Sequence, residues 1–510
     1  MKRVLIPAFA MLGLTGCTIG PDYERPDLTS ELPTSFSEAP SEPAYAPAAP
    51  PQADIAAWWT LLNDEELSTY VELAMTGSIE LRESLERIIE ARSRRGIENA
   101  ERLPTLDGTG SYGRAETGDE GINFQGPLPG EDADVYSLGV VAGWELDLWG
   151  RVARLVEAAD AEIEFAVEDY RAVRVALAAE VAREVITIRG LDLEIEAVEA
   201  AIAADGDNVD ISAARVRAGF ADELDLSRAT RVLERNLAAL PELQGRRRAA
   251  EIRLATLLGT TPDRVAVSGR GLPARDVLPP MGAPADLLLR RPDVRRAEAE
   301  LIAANARVGA ATAERYPRVV VSGTFAFQGT DAGDVVNPDA FGFTIGPTIT
   351  VPLFEGGRIR ARINVAESET RQAALRLQRS LITAIGEVES AAVLLRRTEE
   401  RAKRLTSAER SALDTESLAT DRYQAGVVDF LDVTEATTQL LAIRRERVVV
   451  ERDATLRLID LYAALGGGWD AGAEGVLPKV LDKAARLDAD GQRTANQQSV
   501  SLAIKTLLDK

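Results

Sequence analysis

The chain has 510 residues, 45% hydrophobic, 27% charged and 5% aromatic, which suits a large core or long assembly and excludes a wholly disordered, collagenous or helical membrane-bundle protein. Histidine is absent and cysteine occurs once, so His-based triads, His-ligated zinc, disulfide frameworks and Cys-rich metal sites all fall away. With 59 Lys+Arg against 81 Asp+Glu the formal charge is -22, which argues against nucleic acid as a partner.

Lys2 and Arg3 open a short positive segment, Val4 to Leu14 form an apolar run of eleven residues, and Leu14-Thr15-Gly16 leads into Cys17. Eleven residues fall short of the roughly 20 that a helical crossing needs. The segment 1–16 therefore reads as a cleaved export signal. Residues 17–57, rich in Pro, Ser, Ala and Glu, read as an extended tether. Trp58 and Trp59 read as core packing, and Asp64-Glu65-Glu66 as a helix start.

Beyond this point the chain repeats itself. Ala100-Glu101-Arg102-Leu103-Pro104 matches Ala313-Glu314-Arg315-Tyr316-Pro317 at an offset of 213. From Gly150-Arg151-Val152 against Gly357-Arg358-Ile359 onward the offset is 207. Two repeats follow, 58–259 and 288–466, joined by a Pro/Gly-rich linker over 260–287 and followed by a polar tail over 467–510.

In each repeat two strands precede two long helices. Strands are expected at 105–115, 135–147, 319–328 and 341–351, where Tyr136, Leu138, Val140 and Trp144 alternate with Ser137, Gly139, Val141 and Gly143. About 10 residues per strand suits a tilted bilayer crossing, although a soluble hairpin packed on a helix has the same pattern. Trp144 and Trp149 fit either a membrane interface or ordinary packing.

Long helices are expected at 150–217 and 357–424, each about 100 Å at ~1.5 Å per residue. Val152, Val156, Ala159, Ile163, Ala166, Tyr170, Val173 and Leu177 step by alternating fours and threes, a heptad seam. Small-residue turns, Arg217-Ala218-Gly219 and Gln424-Ala425-Gly426, lead into returning helices at 222–258 and 429–465. Pro241 is expected to interrupt the first returning helix.

The sequence Leu14-Thr15-Gly16-Cys17 resembles a bacterial lipobox, which implies acylation of Cys17. It is followed by Cys17-Thr18-Ile19-Gly20-Pro21-Asp22-Tyr23, then Trp58-Trp59, then Pro284-Ala285-Asp286-Leu287-Leu288 with Arg290-Arg291-Pro292-Asp293, then Pro352-Leu353-Phe354-Glu355-Gly356-Gly357-Arg358, and Leu465-Gly466-Gly467-Gly468-Trp469. In that order they resemble the outer-membrane efflux lipoproteins, the NodT and OprM branch of the TolC-like outer-membrane factors. The fold class implied is mostly α with a β part: a homotrimer whose twelve strands close one barrel continuous with a periplasmic α-helical barrel. The resemblance also implies a passive duct in the outer membrane, serving a periplasmic adaptor and an inner-membrane pump of the RND or ABC class. No cofactor is implied beyond the lipid on Cys17.

In the resembled family the helix-hairpin tips close the entrance and receive the adaptor. Residues at matching gate positions are Asp225, Tyr423, Asp432 and Glu435; those at matching docking positions are Arg217, Ala218, Gly219, Leu224, Ala425, Gly426 and Leu431. Val428 stands where a relative carries a basic residue. Around a threefold axis Asp432 and Glu435, three apart on one helical face, form acidic rings that favour cations. Simple helix capping is the alternative for Asp222, Asp225, Asp429 and Asp432. A type I secretion duct and a periplasmic coiled-coil tether remain other functional classes. No GxSxG, Walker motif or metal constellation supports an enzyme.

Overall fold

The computed structural model describes residues 18–28, 32–37, 55–116, 132–269, 271–275, 278–279 and 281–469. The signal segment, Cys17, most of the tether and the tail after Trp469 lie outside them. The fold is mostly helical with one small sheet. Helices α1 (Glu65–Gly77) and α2 (Ile79–Ala100) precede strands β1 (Thr105–Glu116) and β2 (Asp132–Leu146), then α3 (Arg151–Arg217) and α4 (Glu223–Leu257). A short α5 (Leu287–Arg290) and α6 (Pro292–Ala313) precede β3 (Arg318–Gly329) and β4 (Phe341–Thr350), then α7 (Arg358–Gln424) and α8 (Phe430–Ala464).

The duplication is visible in element lengths. Helices α2 and α6 each have 22 residues, α3 and α7 each have 67, and α4 and α8 each have 35. It is also visible in strand register. Thr105 pairs with Gly143, and Arg318 with Thr350; the first members are 213 apart and the second 207. Both hairpins thus have the same register, and the six-residue difference is confined to the connections between their strands.

The chain forms two compact units. One comprises residues 1–26, 88–166 and 296–377, and the other 27–87, 167–295 and 378–510. In the first, the strands form one antiparallel sheet in the order β1-β2-β3-β4. One face carries the rows Leu138–Phe327–Phe341 and Val140–Phe325–Phe343, and the other carries Ser137, Gly139, Thr324 and Thr344. Phe343 and Ile345 are 66% and 60% exposed, so the apolar face has no cover among the described residues.

In the second unit Trp58 is fully buried and stacks on Tyr462 at 5.2 Å. Asp64 caps α1 by accepting from the Leu67 N–H at 2.9 Å, and it pairs with the buried Arg189 of α3. Glu66 holds the same guanidinium at 2.7 Å and accepts from the Ser268 N–H at 2.9 Å. Arg291 donates to the Ala464 carbonyl at 2.8 Å, satisfying an orphan acceptor at the end of α8, and pairs with Asp293 and Glu387 at 2.7 Å each. Trp469 lies under two guanidiniums, those of Arg171 at 4.7 Å and Arg295 at 5.4 Å.

One expectation fails. Pro241 does not interrupt the returning helix, since α4 runs from Glu223 to Leu257 with Pro241 inside it. Two residues on, Leu243 is buried in one apolar cluster with Leu191 and Val198 of α3. This tertiary packing offsets the local cost of a proline, roughly 3 kcal/mol.

Burial pushes the Asp64 carboxyl up, but Arg189 and the Leu67 N–H outweigh it and hold it below the usual carboxylate range. Its ionisation therefore adds stability above the unfolded-state value, and this contribution is lost as pH falls through the lower folded one. The Asp64→Asn protein keeps a cap acceptor and loses the charge. A loss of about 2 kcal/mol is expected at pH 7, with the difference in thermal midpoint, followed by circular dichroism, shrinking below about pH 4.

Candidate functional site

The ends of α3 and α7 are built alike. The Phe220 N–H donates to the Arg215 carbonyl at 2.9 Å and the Gly219 N–H to the Val216 carbonyl at 3.0 Å. The Val427 N–H donates to the Arg422 carbonyl at 2.9 Å and the Gly426 N–H to the Tyr423 carbonyl at 2.9 Å. These are the paired bonds of a Schellman turn, which satisfy two of the free carbonyls at the end of each long helix. Their geometry needs a left-handed residue, and Gly219 and Gly426 take it at φ +78° and +71°.

Each turn is followed by an aspartate and an apolar pair. Asp222 caps α4 through the Leu224 N–H. At α8 the Asp432 carboxylate reaches back to the Asp429 N–H at 3.2 Å. Phe220 and Leu224 are 78% and 53% exposed; Val427 and Leu431, 207 residues later, are 70% and 51% exposed. Both tips therefore present an uncovered apolar pair at the same places.

The first hairpin touches the second through Arg215. Its guanidinium donates to the Tyr423 hydroxyl at 3.1 Å and lies 5.6 Å from the Tyr423 ring and 5.7 Å from that of Phe430. The two rings are themselves 5.4 Å apart. A cation between two ring faces is held by their quadrupoles as well as by the hydrogen bond.

The groove beneath these turns is lined by Arg215, Asp222, Asp225, Arg228, Asp429 and Glu435, among others. Asp225 and Glu435 thus share one groove. Asp225 pairs with Arg228 at 3.5 Å, a half-exposed contact worth little by itself. Tyr423 and Asp432 are engaged elsewhere, by Arg215 and by the α8 cap. Of the docking positions, Ala218 and Ala425 end the last helical turns, Gly219 and Gly426 make the reversals, and the exposed Arg217 donates to the Ala213 carbonyl at 3.3 Å.

Sequence reasoning missed Arg215, and it placed Phe220, Val427 and Phe430 within the tips without giving them a role. The pair Phe220 and Val427 is detectable from the 207 offset. Arg215 is not, because its partners are 208 and 215 positions away.

At the base of the sheet the chain's first described residues are fastened down. The Ile19 N–H donates to the Trp149 carbonyl at 3.1 Å. Arg154 donates to the Ile19 and Gly20 carbonyls at 3.3 Å and pairs with Asp22 at 2.7 Å. Trp149 stacks on Tyr316 at 5.0 Å and donates to the Pro317 carbonyl at 2.7 Å. Thr18, one residue after Cys17, thus starts beside the junction of β2 and α3.

Among the described residues no helix is long and apolar enough to cross a membrane, and no group of three or more His, Cys, Asp or Glu is placed to hold a metal ion. Two stretches, 71–260 and 283–467, match a family described as outer membrane efflux protein. The chain belongs to that family. This outer membrane efflux protein is 31% identical over 487 residues to the solvent efflux pump outer membrane protein SrpC of Pseudomonas putida, with 92% of this chain and 99% of that one covered. It is 28% identical over 473 residues to the cation efflux system protein CusC of Escherichia coli, covering 91% and 99%. Among solved structures, the outer-membrane channel OprN superposes with a TM-score of 0.80 at 30% identity, covering 89% of this chain and all of that one. These relatives are efflux channels, not enzymes.

A Cβ built on Gly219 or Gly426 meets nothing within 4 Å, so substitution there strains the backbone alone. Gly219→Ala and Gly426→Ala are expected to cost about 1 kcal/mol each. Hydrogen exchange at the Phe220 and Val427 amides should quicken roughly fivefold, with the sheet amides unchanged.

Proposed function

We propose that the chain is the outer-membrane channel of a tripartite efflux system, passing small toxic solutes outward from an inner-membrane pump of the RND or ABC class through a periplasmic adaptor. The observation that carries this reading is the sheet. One face is mainly apolar, with Leu138, Val140, Phe325, Phe327, Phe341 and Phe343, the other is rich in Gly, Ser and Thr, and β1 and β4 are unpaired edges among the described residues. Edges of this kind are intolerable in hydrocarbon, where every backbone polar group needs a partner. Three copies closing a twelve-stranded barrel remove all of them, turning the apolar face to lipid and the small polar face to a water-filled lumen. The names of the solvent and cation efflux relatives support an efflux cargo.

Conduction needs no chemistry, and control falls to the helix-hairpin tips. The closed tip is held by Tyr423, Asp225, Asp432 and Glu435, with Arg215 as the partner of Tyr423. The apolar pairs beside Ala218-Gly219 and Ala425-Gly426, with Arg217, receive the adaptor. Acylation of Cys17 anchors the chain beside the sheet, consistent with the fastening of Ile19 and Gly20 at the β2–α3 junction.

Single-channel conductance in a planar bilayer tests the gate. Tyr423→Phe removes a hydrogen bond to a charged donor, worth about 1.5–3 kcal/mol, so the open-to-closed ratio should rise tenfold or more. Tyr423→Ala should exceed it, since the ring contact with Arg215 goes too, and Asp225→Ala should also raise conductance. Unchanged conductance in all three removes the gate, and monomers that conduct nothing remove the channel.

Mass measurement of the mature N-terminus tests the anchor. Wild type should carry acyl chains on residue 17, and Cys17→Ser should carry none while still forming trimers, because the barrel is an anchor in its own right.

A further inference from the structure

The duplication fixes more than the hairpins. The β2–β3 seam joins the second strand of one repeat to the first strand of the next. In a closed ring of copies, the only other seam is β4 of one chain against β1 of its neighbour, and it joins the same two kinds of strand. The β2–β3 register is on record: Trp144 pairs with Val321, Gly143 with Ser322 and Ala142 with Gly323. Adding 207 to each β2 position and subtracting 213 from each β3 position converts this register into one between chains, because those offsets already relate all ten pairs of the second hairpin to pairs of the first.

From this quasi-equivalence we propose that two copies of this chain join edge to edge in one register, with Thr350 of one chain opposite Thr109 of the next and Ile349 opposite Gly110. Strand β4 from 343 to 350 then faces β1 from 109 to 116. The inference deepens the trimeric reading above and rests on it, but the register is an independent statement about residues.

The conversion preserves facing, as a closed sheet requires. On the apolar face, Leu106, Gly110 and Tyr112 of β1 pair with Ala142, Leu138 and Tyr136, while Phe343, Ile345 and Ile349 of β4 pair with Phe325, Gly323 and Val319. The proposed register sets apolar face beside apolar face, whereas a slip of one residue would turn every side chain of the neighbour to the wrong side. One observation outside the conversion agrees with it. Leu353, just past the end of β4, is 91% exposed, and Leu106, near the start of β1, is 72% exposed. Both lie at the end of the seam where Thr350 meets Thr109.

Oxidative cross-linking of the full-length protein in outer-membrane vesicles, catalysed by copper phenanthroline, tests this. The pairs are Thr350→Cys with Thr109→Cys on the polar face and Ile349→Cys with Gly110→Cys on the apolar face. Adjacent positions alternate between hydrogen-bonded and non-bonded sites, so one of the two has the closer Cβ atoms. Single-cysteine variants control for coupling through Cys17. The two double variants alter opposite faces, so misassembly of one leaves the other informative.

A ladder of covalent dimers and trimers from at least one matched pair, several-fold stronger than from Thr350→Cys combined with Asp107→Cys or Ser111→Cys, is the expected result. A stronger ladder from either displaced combination overturns the register and leaves the trimer standing. The register is equally overturned if assembled trimers, seen by native mass spectrometry, give no ladder from either matched pair. Monomers by the same measurement overturn the trimeric reading, and the register with it.

Discussion

A peptide group left without a partner in hydrocarbon costs several kcal/mol, and the rest of this molecule is arranged around that fact. A single chain supplies four strands, and four strands leave two open edges and an apolar face with no cover. Both deficits are met by identical neighbours and lipid in the proposed assembly. The long helices obey the same logic in water: α7 buries only a single stripe, including Ile363, Ala373, Leu377, Ala384 and Val388, while Leu375 and Ile382 stay exposed. One stripe suits a stave in a ring better than a rod inside a globule.

Arginine does most of the fastening. Arg189, Arg291 and Arg154 each join segments far apart in sequence, and each serves carboxylates and, in two cases, backbone carbonyls at once. The planar fork allows this where a lysine ammonium would not. At the tips the same side chain does a different job, since Arg215 meets aromatic rings and a hydroxyl in place of a carboxylate. Such a contact depends less on salt than an exposed ion pair does.

Local pattern made the elements legible in the sequence. Alternation over Tyr136 to Trp144 marks β2, heptad spacing marks α3, and Gly219 and Gly426 mark where the long helices stop, because each signal arises from neighbours along the chain. Pro241 misled for the same reason: local chemistry favours a break, and the buried neighbour Leu243 overrides it. The tip site was half legible. Its turns and carboxylates are local features, but the capture of Tyr423 by Arg215 is a meeting across 208 positions. Asp432 accepts from the Asp429 N–H, a local capping contact that the three-residue spacing allows.

The six residues by which the two strand connections differ record where this ancestral doubling was free to drift. Ladders and helical seams count residues, so an insertion within either would have displaced every contact downstream. A connection between strand ends counts nothing, and lengthening it costs only the slow logarithmic rise of closure entropy. In the proposed ring of three chains two connection lengths alternate, so the sequence between paired strands repeats three times while the strand pairing repeats six times.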